Sequence, residues 1–277
     1  MDTKASMHTL IHIIGIILFL CVYQLGKAQD GYATICDLCY TIKSDTYAQS
    51  RCKLDIYYPT KVDSLCPVVV WFHGGGLTSG EKSFPHRLKN QQIALVAVNY
   101  RLLPTVTIDD CLDDCAEAVA WVFNHIVQYN GSPRKIVLSG HSAGGYITAM
   151  IGLDKHWLAK YDIDCDSLAA MAPVTGQMIS HFSYRGMNNI PALQPTVDEY
   201  APLFHVRNNA STLLLITGDR ELELFGRYEE NAYMRRMMQL VGHKNTFLYE
   251  IGGHGHGPVG DPAQYIILSY IKNRFDI

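Results

Sequence analysis

The stretch "IVLSGHSAGGYITAM", residues 136–150, decides the fold. A short apolar run, Ile136-Val137-Leu138, gives way to Gly140-His141-Ser142-Ala143-Gly144-Gly145 and then to a helix-like pattern from Ala143 to Leu153. An apolar run broken by glycine and continued by helix formers reads as strand, sharp turn, helix. Glycines crowd such a turn because only a residue without a Cβ lets the flanking backbone pass that closely. A serine at its apex then stands in the open, beside the N–H groups of the new helix.

Outward from this stretch the same alternation recurs. Two strand-like stretches, "YATICDLCYTI" and "RCKLDIYYP", precede the β-rich runs "CPVVVWFHG", "ALVAVNYRL", "KIVLSG", "LAAMAPVTG", "STLLLITGD" and "NTFLYEIGG". Helical patterns cover 110–129, 143–153, 228–241 and 262–275, the last closing the chain. Short apolar strands alternating with helices predict an α/β fold with a mostly parallel sheet and helices on both faces. No repeat or low-complexity tract interrupts residues 29–277, which read as one domain.

Composition excludes some functions. The 277 residues are 48% hydrophobic and 18% charged, ordinary for a globular chain, and a formal charge of −3 with no Lys/Arg cluster gives no footprint for nucleic acid. At the start, Lys4 precedes the apolar run "LIHIIGIILFLCV" and the polar "YQLGKAQD". That layout predicts a secretory signal over residues 1–28, with Gly26 and Ala28 as the small residues before a cut at Gln29. The run is shorter than the roughly 20 apolar residues a membrane span requires. Bulky Leu20 argues against a lipid anchor on Cys21. A secreted or periplasmic location follows, with seven cysteines left in an oxidising compartment: Cys36, Cys39, Cys52, Cys66, Cys111, Cys115 and Cys165. Cys36 and Cys39 form a C-x-x-C in a strand-like stretch, read as a disulfide or ordinary packing rather than redox or zinc chemistry.

In parallel sheets ligands bind beyond the carboxyl ends of the strands, and here those ends carry reactive groups. "VVVWF" ends in His73-Gly74-Gly75-Gly76, "KIVLSG" in His141-Ser142, "LLLIT" in Gly218-Asp219-Arg220-Glu221, and "FLYEI" in Gly252-Gly253-His254-Gly255-His256. Serine, acid and histidine thus follow one another in chain order at three strand ends. A serine hydroxyl needs an adjacent base to become a nucleophile, and glycine backbone amides suit a developing oxyanion.

Gly140-His141-Ser142-Ala143-Gly144 matches G-x-S-x-G, and with His73-Gly74-Gly75-Gly76 the chain resembles an α/β-hydrolase of the esterase/lipase class, as in the hormone-sensitive-lipase-like and carbohydrate-esterase-like families. The resemblance covers nearly all of 29–277. It implies Ser142 as nucleophile, an oxyanion hole from the N–H groups of Gly75 or Gly76 and of Ala143, and a scaffold role for Arg101 in "VNYRLLP". Family spacing G-x-x-H-G followed by a proline fits His256 better than His254. A G-x-x-acid spacing favours Glu221, with Asp219 as the rival. The segment 177–200 lacks a clear pattern and is the expected substrate-shaping insertion, with Phe182, Tyr184 and Met187 as pocket candidates. The expected activity is hydrolysis of a small-molecule or carbohydrate ester without metal or organic cofactor. A formamidase or amidase of the kynurenine-formamidase type, or a non-catalytic binding module, are the alternatives.

Overall fold

Eight strands form one mixed sheet, and the order in which the chain visits them brings the chemically loaded strand ends to a common edge. The computed structural model describes residues 31–224 and 226–277. The expected signal segment, its cut after Ala28 and Cys21 lie outside the described residues. The elements are β1 (Tyr32–Cys39), α1 (Thr46–Arg51), β2 (Lys53–Pro59), β3 (Cys66–Phe72), β4 (Ala94–Val98), α2 (Ile108–His125), β5 (Gly131–His141), α3 (Ala143–Leu153), α4 (Lys155–Ala159), β6 (Ala170–Val174), α5 (Phe182–Met187), β7 (Thr212–Gly218), α6 (Arg227–Leu240), β8 (Thr246–Ile251) and α7 (Gly260–Phe275). Strand order is β1-β2-β4-β3-β5-β6-β7-β8. The first two pairings are antiparallel, and from β4 to β8 every neighbour is parallel. This is the α/β-hydrolase fold.

The apolar runs are strands because they are buried on both sides. Every residue of β3, β4 and β6 is buried, whereas edge strand β8 is buried only in part. Alternate residues feed two cores. Val68, Val70 and Phe72 pack with Leu112 and Val119 of α2 and Ile147 of α3, while Val69 and Trp71 pack with Ile267 and Ile271 of α7. Thr107 begins α2 with a capping box, its hydroxyl accepting from Asp110 N–H while the Asp110 carboxylate accepts from Thr107 N–H. Among the described residues no helix is long and apolar enough to cross a membrane, and no disulfide is formed; Cys36 and Cys39 are exposed on β1.

The segment after β4 ties the scaffold to the site. Arg101 forms a two-pronged ion pair with Asp114 of α2 at 2.7 and 2.8 Å, both side chains buried. Next to it, Tyr100 Oη donates to the His73 carbonyl at 2.9 Å and Leu103 N–H to the Leu77 carbonyl at 2.8 Å. Arg101→Leu is expected to cost about 3 kcal/mol, the lower end for a broken buried pair, because Lys43 remains on Asp114 at 3.1 Å. A urea midpoint equivalent to less than 1 kcal/mol of change, in round terms, contradicts this.

Candidate active site

Ser142 occupies the tip of the turn between β5 and α3, with φ 58° and ψ −113°, a conformation costly for a residue with a side chain. Its surroundings impose it. Ser142 N–H donates to the Val174 carbonyl at the end of β6 (2.9 Å), and Ser142 C=O accepts from Tyr146 N–H in α3 (3.0 Å). A Cβ on Gly144 would lie 2.0 Å from the Phe72 carbonyl oxygen, and one on Gly140 within 2.6 Å of the same atom. These glycines let α3 press against the end of β3, which holds the serine hydroxyl out beyond the strand ends.

His256, in the loop between β8 and α7, meets that hydroxyl. Its Nε2 lies 2.8 Å from Ser142 Oγ, and its Nδ1 lies 2.8 Å from Glu223 Oε2. The carboxylate is an acceptor, so Nδ1 carries the proton and Nε2 is left to accept from the serine. Glu223 is all but sealed from solvent, its side chain 1% exposed. Burial pushes its carboxyl up. The hydrogen bond and charge of His256, with the N–H groups of Gly218 and Leu224, outweigh that and hold it below the usual carboxylate range. His141 braces the histidine loop, its Nε2 lying 2.7 Å from the His256 carbonyl oxygen, which accepts the imidazole N–H.

The acid position differs from both expected residues. Leu222 and Glu223 N–H groups donate back to the Asp219 carbonyl at 2.9 Å, so the chain makes one helical turn after β7. That turn returns Glu223 over the strand end, beneath His256, and leaves Glu221 exposed on the far side. Asp219 serves the backbone instead. Its carboxylate accepts from Glu221 N–H at 3.0 Å and Gly253 N–H at 2.8 Å, and its own N–H donates to the His254 carbonyl at 2.8 Å, tying the loops after β7 and β8 together. The His254 imidazole faces its own loop, 3.0 Å from the Gly252 carbonyl oxygen, and not the serine.

The glycine run after β3 curls against the elbow. Gly75 (φ 110°) and Gly76 (φ 65°) hold left-handed backbone, and the Gly75 carbonyl accepts from Thr78 and Ser79 N–H. A Cβ on Gly74 would sit 3.4 Å from Ser142 Cβ. Among the described residues the N–H groups of Gly75, Gly76 and Ala143 have no acceptor in the protein. They are the N–H groups that the sequence reading names for an oxyanion hole, and they lie on the two segments that flank Ser142.

His73 anchors this run. Its ring stacks on Tyr100 at 4.4 Å, Nδ1 lies 2.6 Å from the Gly74 carbonyl oxygen, and Nε2 lies 3.3 Å from an Arg51 guanidinium nitrogen. One nitrogen donates and the other accepts, the pattern of a neutral imidazole. Burial first, then Arg51, pushes it down to about 4, against the opposing pull of the Gly74 carbonyl and of Glu81. The unfolded chain therefore takes up a proton near pH 6.5 that the folded chain refuses until about pH 4. The stability present above pH 6.5 falls by about 3 kcal/mol as pH drops through that window. His73→Asn keeps a donor for Gly74 and removes the titration, so denaturation curves should show a flatter acid limb; an unchanged slope would rule the assignment out.

A cavity of about 530 Å³ opens between α5 and the start of α6, lined by Gln177, Ile179, Phe182, Leu193, Leu224 and Arg227 among others. It adjoins the site on two sides: a Cβ on Gly76 would be 3.1 Å from the Phe182 ring, and Leu224 follows Glu223. Of the three pocket candidates only Phe182 lines it. Tyr184 packs on Tyr200 at 4.7 Å against the α2/α3 core, and Met187 is exposed outside the cavity. The reason is helical: 182–187 is a turn and a half of α5, so residues 182 and 185 share the cavity face while 184 and 187 point away. A second cleft of about 450 Å³ runs along Gly74, His141, Gly257 and Gln264.

Residues 54–222 match the model of the BD-FAE family, more than half of the chain. The chain belongs to the BD-FAE family. Relatives by sequence include a probable isoprenylcysteine alpha-carbonyl methylesterase of Oryza sativa subsp. japonica, 27% identical over 78% of this chain and 57% of the relative. The carboxylesterase NlhH of Mycobacterium tuberculosis is 35% identical over 35% of this chain and 32% of its own length. The chain spans less than two thirds of the length of these curated relatives. By structure it is similar to a truncated carbohydrate esterase from gut microbiota (TM-score 0.73, 18% identity, 90% and 99% of the two chains). It is also similar to esterase 2 of Thermogutta terrifontis phosphoramylated by tabun (TM-score 0.67, 19% identity, 90% and 95%).

The BD-FAE match ends at residue 222, one position before Glu223 and well before His256. The hydrogen-bonded chain therefore extends past the matched segment and stands on its own geometry. Glu223 is not among the candidates that the sequence offers for the acid. The signal for Glu223 was the spacing itself, since a residue four positions after Asp219 returns to the same side of a helical turn. Asp164, Cys165 and Asp166 have the spacing of a metal site among the described residues, but Lys155 and Arg207 already pair with those aspartates.

Proposed function

We propose that this BD-FAE member is a serine carboxylic-ester hydrolase that works through an acyl-enzyme. The observation that carries the reading is the unbroken Ser142–His256–Glu223 hydrogen-bonded chain, 2.8 Å at each step, beside backbone N–H groups without acceptors. His256 Nε2 takes the Ser142 proton as Oγ attacks the ester carbonyl carbon. The carbonyl oxygen, now an oxyanion, receives the amides of Gly75 or Gly76 and of Ala143. His256 returns the proton to the departing alcohol, and a water molecule repeats the attack to release the acid. Glu223 keeps the imidazole in one tautomer and stabilises its cation.

The substrates are esters of carbohydrates, with acetyl or aryl-type acyl groups such as feruloyl. Supporting this are the apolar cavity bounded by Phe182 and Leu224, the second cleft along Gly74, Gly75 and Gly257, and the carbohydrate esterase among the structural neighbours. The protein is exported and begins at Gln29 after removal of residues 1–28, as the Lys4, apolar-run and Ala28 pattern suggests.

The test is purified protein against p-nitrophenyl esters, acetylated and feruloylated xylan, formylkynurenine and a peptide. Ester turnover with the last two untouched supports the reading. Preference for formylkynurenine makes the protein an amidase, and inertness toward every ester makes it a binding module.

A further inference from the structure

Among the described residues the N–H groups of Gly75 and Gly76 have no acceptor, and each belongs to a peptide unit whose carbonyl is held in place. A trans peptide is planar, so its N–H points opposite to its C=O, and fixing one aims the other. The Gly74 carbonyl, which aims the Gly75 N–H, lies 2.6 Å from His73 Nδ1. The Gly75 carbonyl, which aims the Gly76 N–H, accepts from Thr78 N–H at 3.1 Å and from Ser79 N–H and Oγ–H at 3.0 Å.

One side chain reaches both of these holds. Arg51 ends α1, its side chain 12% exposed. Its Nη2 donates to the Gly80 carbonyl and lies 3.3 Å from His73 Nε2, its Nε donates to the Tyr100 carbonyl at 3.0 Å, and its Nη1 pairs with Glu81. A guanidinium has only donors, so His73 Nε2 is the acceptor and the ring proton sits on Nδ1, facing the Gly74 carbonyl. The other tautomer would set donor against donor at Nε2 and acceptor against acceptor at Nδ1. Arg51 thus does for His73 what Glu223 does for His256: it decides which ring nitrogen carries the proton.

The second hold runs through Gly80. With φ 109°, Gly80 presses on the His73 ring and the Gly74 carbonyl so closely that a Cβ would overlap both, which closes residues 74–80 into a ring. Its carbonyl, gripped by Arg51, lies one residue past Ser79 and keeps that residue over the Gly75 carbonyl. Glu81 accepts in turn from Asn99 Nδ2 at 2.6 Å, which ties the guanidinium to the end of β4. Of the four partners of Arg51, only Tyr100 lies off the segment that carries Gly75 and Gly76, and the Tyr100 hydroxyl holds the His73 carbonyl.

On the esterase reading above, we propose that Arg51 is a positioning residue of the oxyanion hole: its guanidinium sets the His73 tautomer that aims the Gly75 N–H, and grips the Gly80 end of the loop that aims the Gly76 N–H. It touches no reacting atom. Its effect reaches the transition state only through the direction of those two amides.

The test is Arg51→Ala on p-nitrophenyl acetate and on the matching thionoester, whose sulfur accepts hydrogen bonds poorly. The hole acts on charge that forms in the transition state, so kcat should fall by about ten- to a hundred-fold with KM within about two-fold, less than the roughly 10²–10³ that a whole donor is worth. The oxygen-to-sulfur rate ratio, each rate divided by that ester's alkaline hydrolysis, should fall by a similar factor; a variant that is merely less well folded loses both rates together and keeps the ratio. Arg51→Lys keeps the charge, but one nitrogen cannot serve His73, Gly80 and Tyr100 at once, so its ratio should fall as well. In nitrogen NMR of isotope-labelled histidine, His73 of the wild type, assigned by its loss in His73→Asn, should carry its proton on Nδ1. Thermal melts identify a variant that fails to fold, and the wild-type tautomer then decides. A kcat in folded Arg51→Ala within about two-fold of the wild type, a ratio unchanged while kcat falls, or a His73 proton on Nε2 would each overturn the proposal with the esterase reading intact. Inertness of the wild type toward every ester, with no labelling of Ser142 by a fluorophosphonate, would instead remove the esterase reading and this inference with it.

Discussion

Ser142→Ala should lower kcat for ester hydrolysis by about 10⁶ while leaving the protein folded. The size follows from what the hydroxyl does in the proposed mechanism. It is the atom that forms the acyl-enzyme, and without it His256 and the glycine amides can assist only a bulk water that nothing holds in place. The fold should survive because the turn is held by backbone contacts, Ser142 N–H to Val174 and Tyr146 N–H to Ser142 C=O, which alanine keeps. Alanine meets the same φ of 58° that serine already tolerates. A melting temperature near that of the wild type with activity at background is the expected pair of readings. Activity above a few per cent of wild type would remove Ser142 from the chemistry.

Glu223→Gln comes next, with an expected loss of about 10⁴ in kcat. Both carboxylate oxygens of Glu223 accept: Oε1 from Gly218 N–H, and Oε2 from Leu224 N–H and His256 Nδ1–H. An amide offers one oxygen and one NH₂, so whichever way Gln turns, donor meets donor. If the NH₂ faces His256, the proton shifts to Nε2 and the base can no longer accept from Ser142. Glu221→Gln, on an exposed side chain, should change kcat by less than about two-fold, within the range of surface substitutions. Asp219→Asn should fall between the two, since it loosens the tie between the loops without touching the imidazole. A larger loss from Glu221→Gln than from Glu223→Gln would restore the acid position expected from sequence spacing.

What could be read from the chain, and what could not, divides along the distance over which a motif acts. The elbow was legible because its chemistry is local: glycines at 140 and 144 are demanded by the passage of Phe72, and that demand falls within a few residues of Ser142. The parallel sheet was legible for the same reason, with apolar runs and helical stretches at the lengths each element requires. The acid was not, because counting from Gly218 treats the loop as extended, whereas the chain makes a helical turn that moves the carboxylate on by two residues to 223. Tyr184 and Met187 lie off the cavity because 182–187 is a short helix, and hydrophobicity without a period cannot tell which side of the chain a residue faces.

The segment that follows β7 bears on two places at once. It carries the carboxylate that orients His256, and through Leu224 and Arg227 it also forms one wall of the apolar cavity. A change of length there moves both at once, so on the proposed mechanism altering that wall disturbs the proton relay as well. The opposite wall comes from the 177–200 segment through Ile179, Phe182 and Leu193, and there Phe182 and Ser183 bear on Gly76, the Ser183 hydroxyl donating to its carbonyl. On the proposed esterase reading both walls of the cavity are therefore tied to groups around Ser142, and a substitution in either is expected to change turnover together with substrate preference.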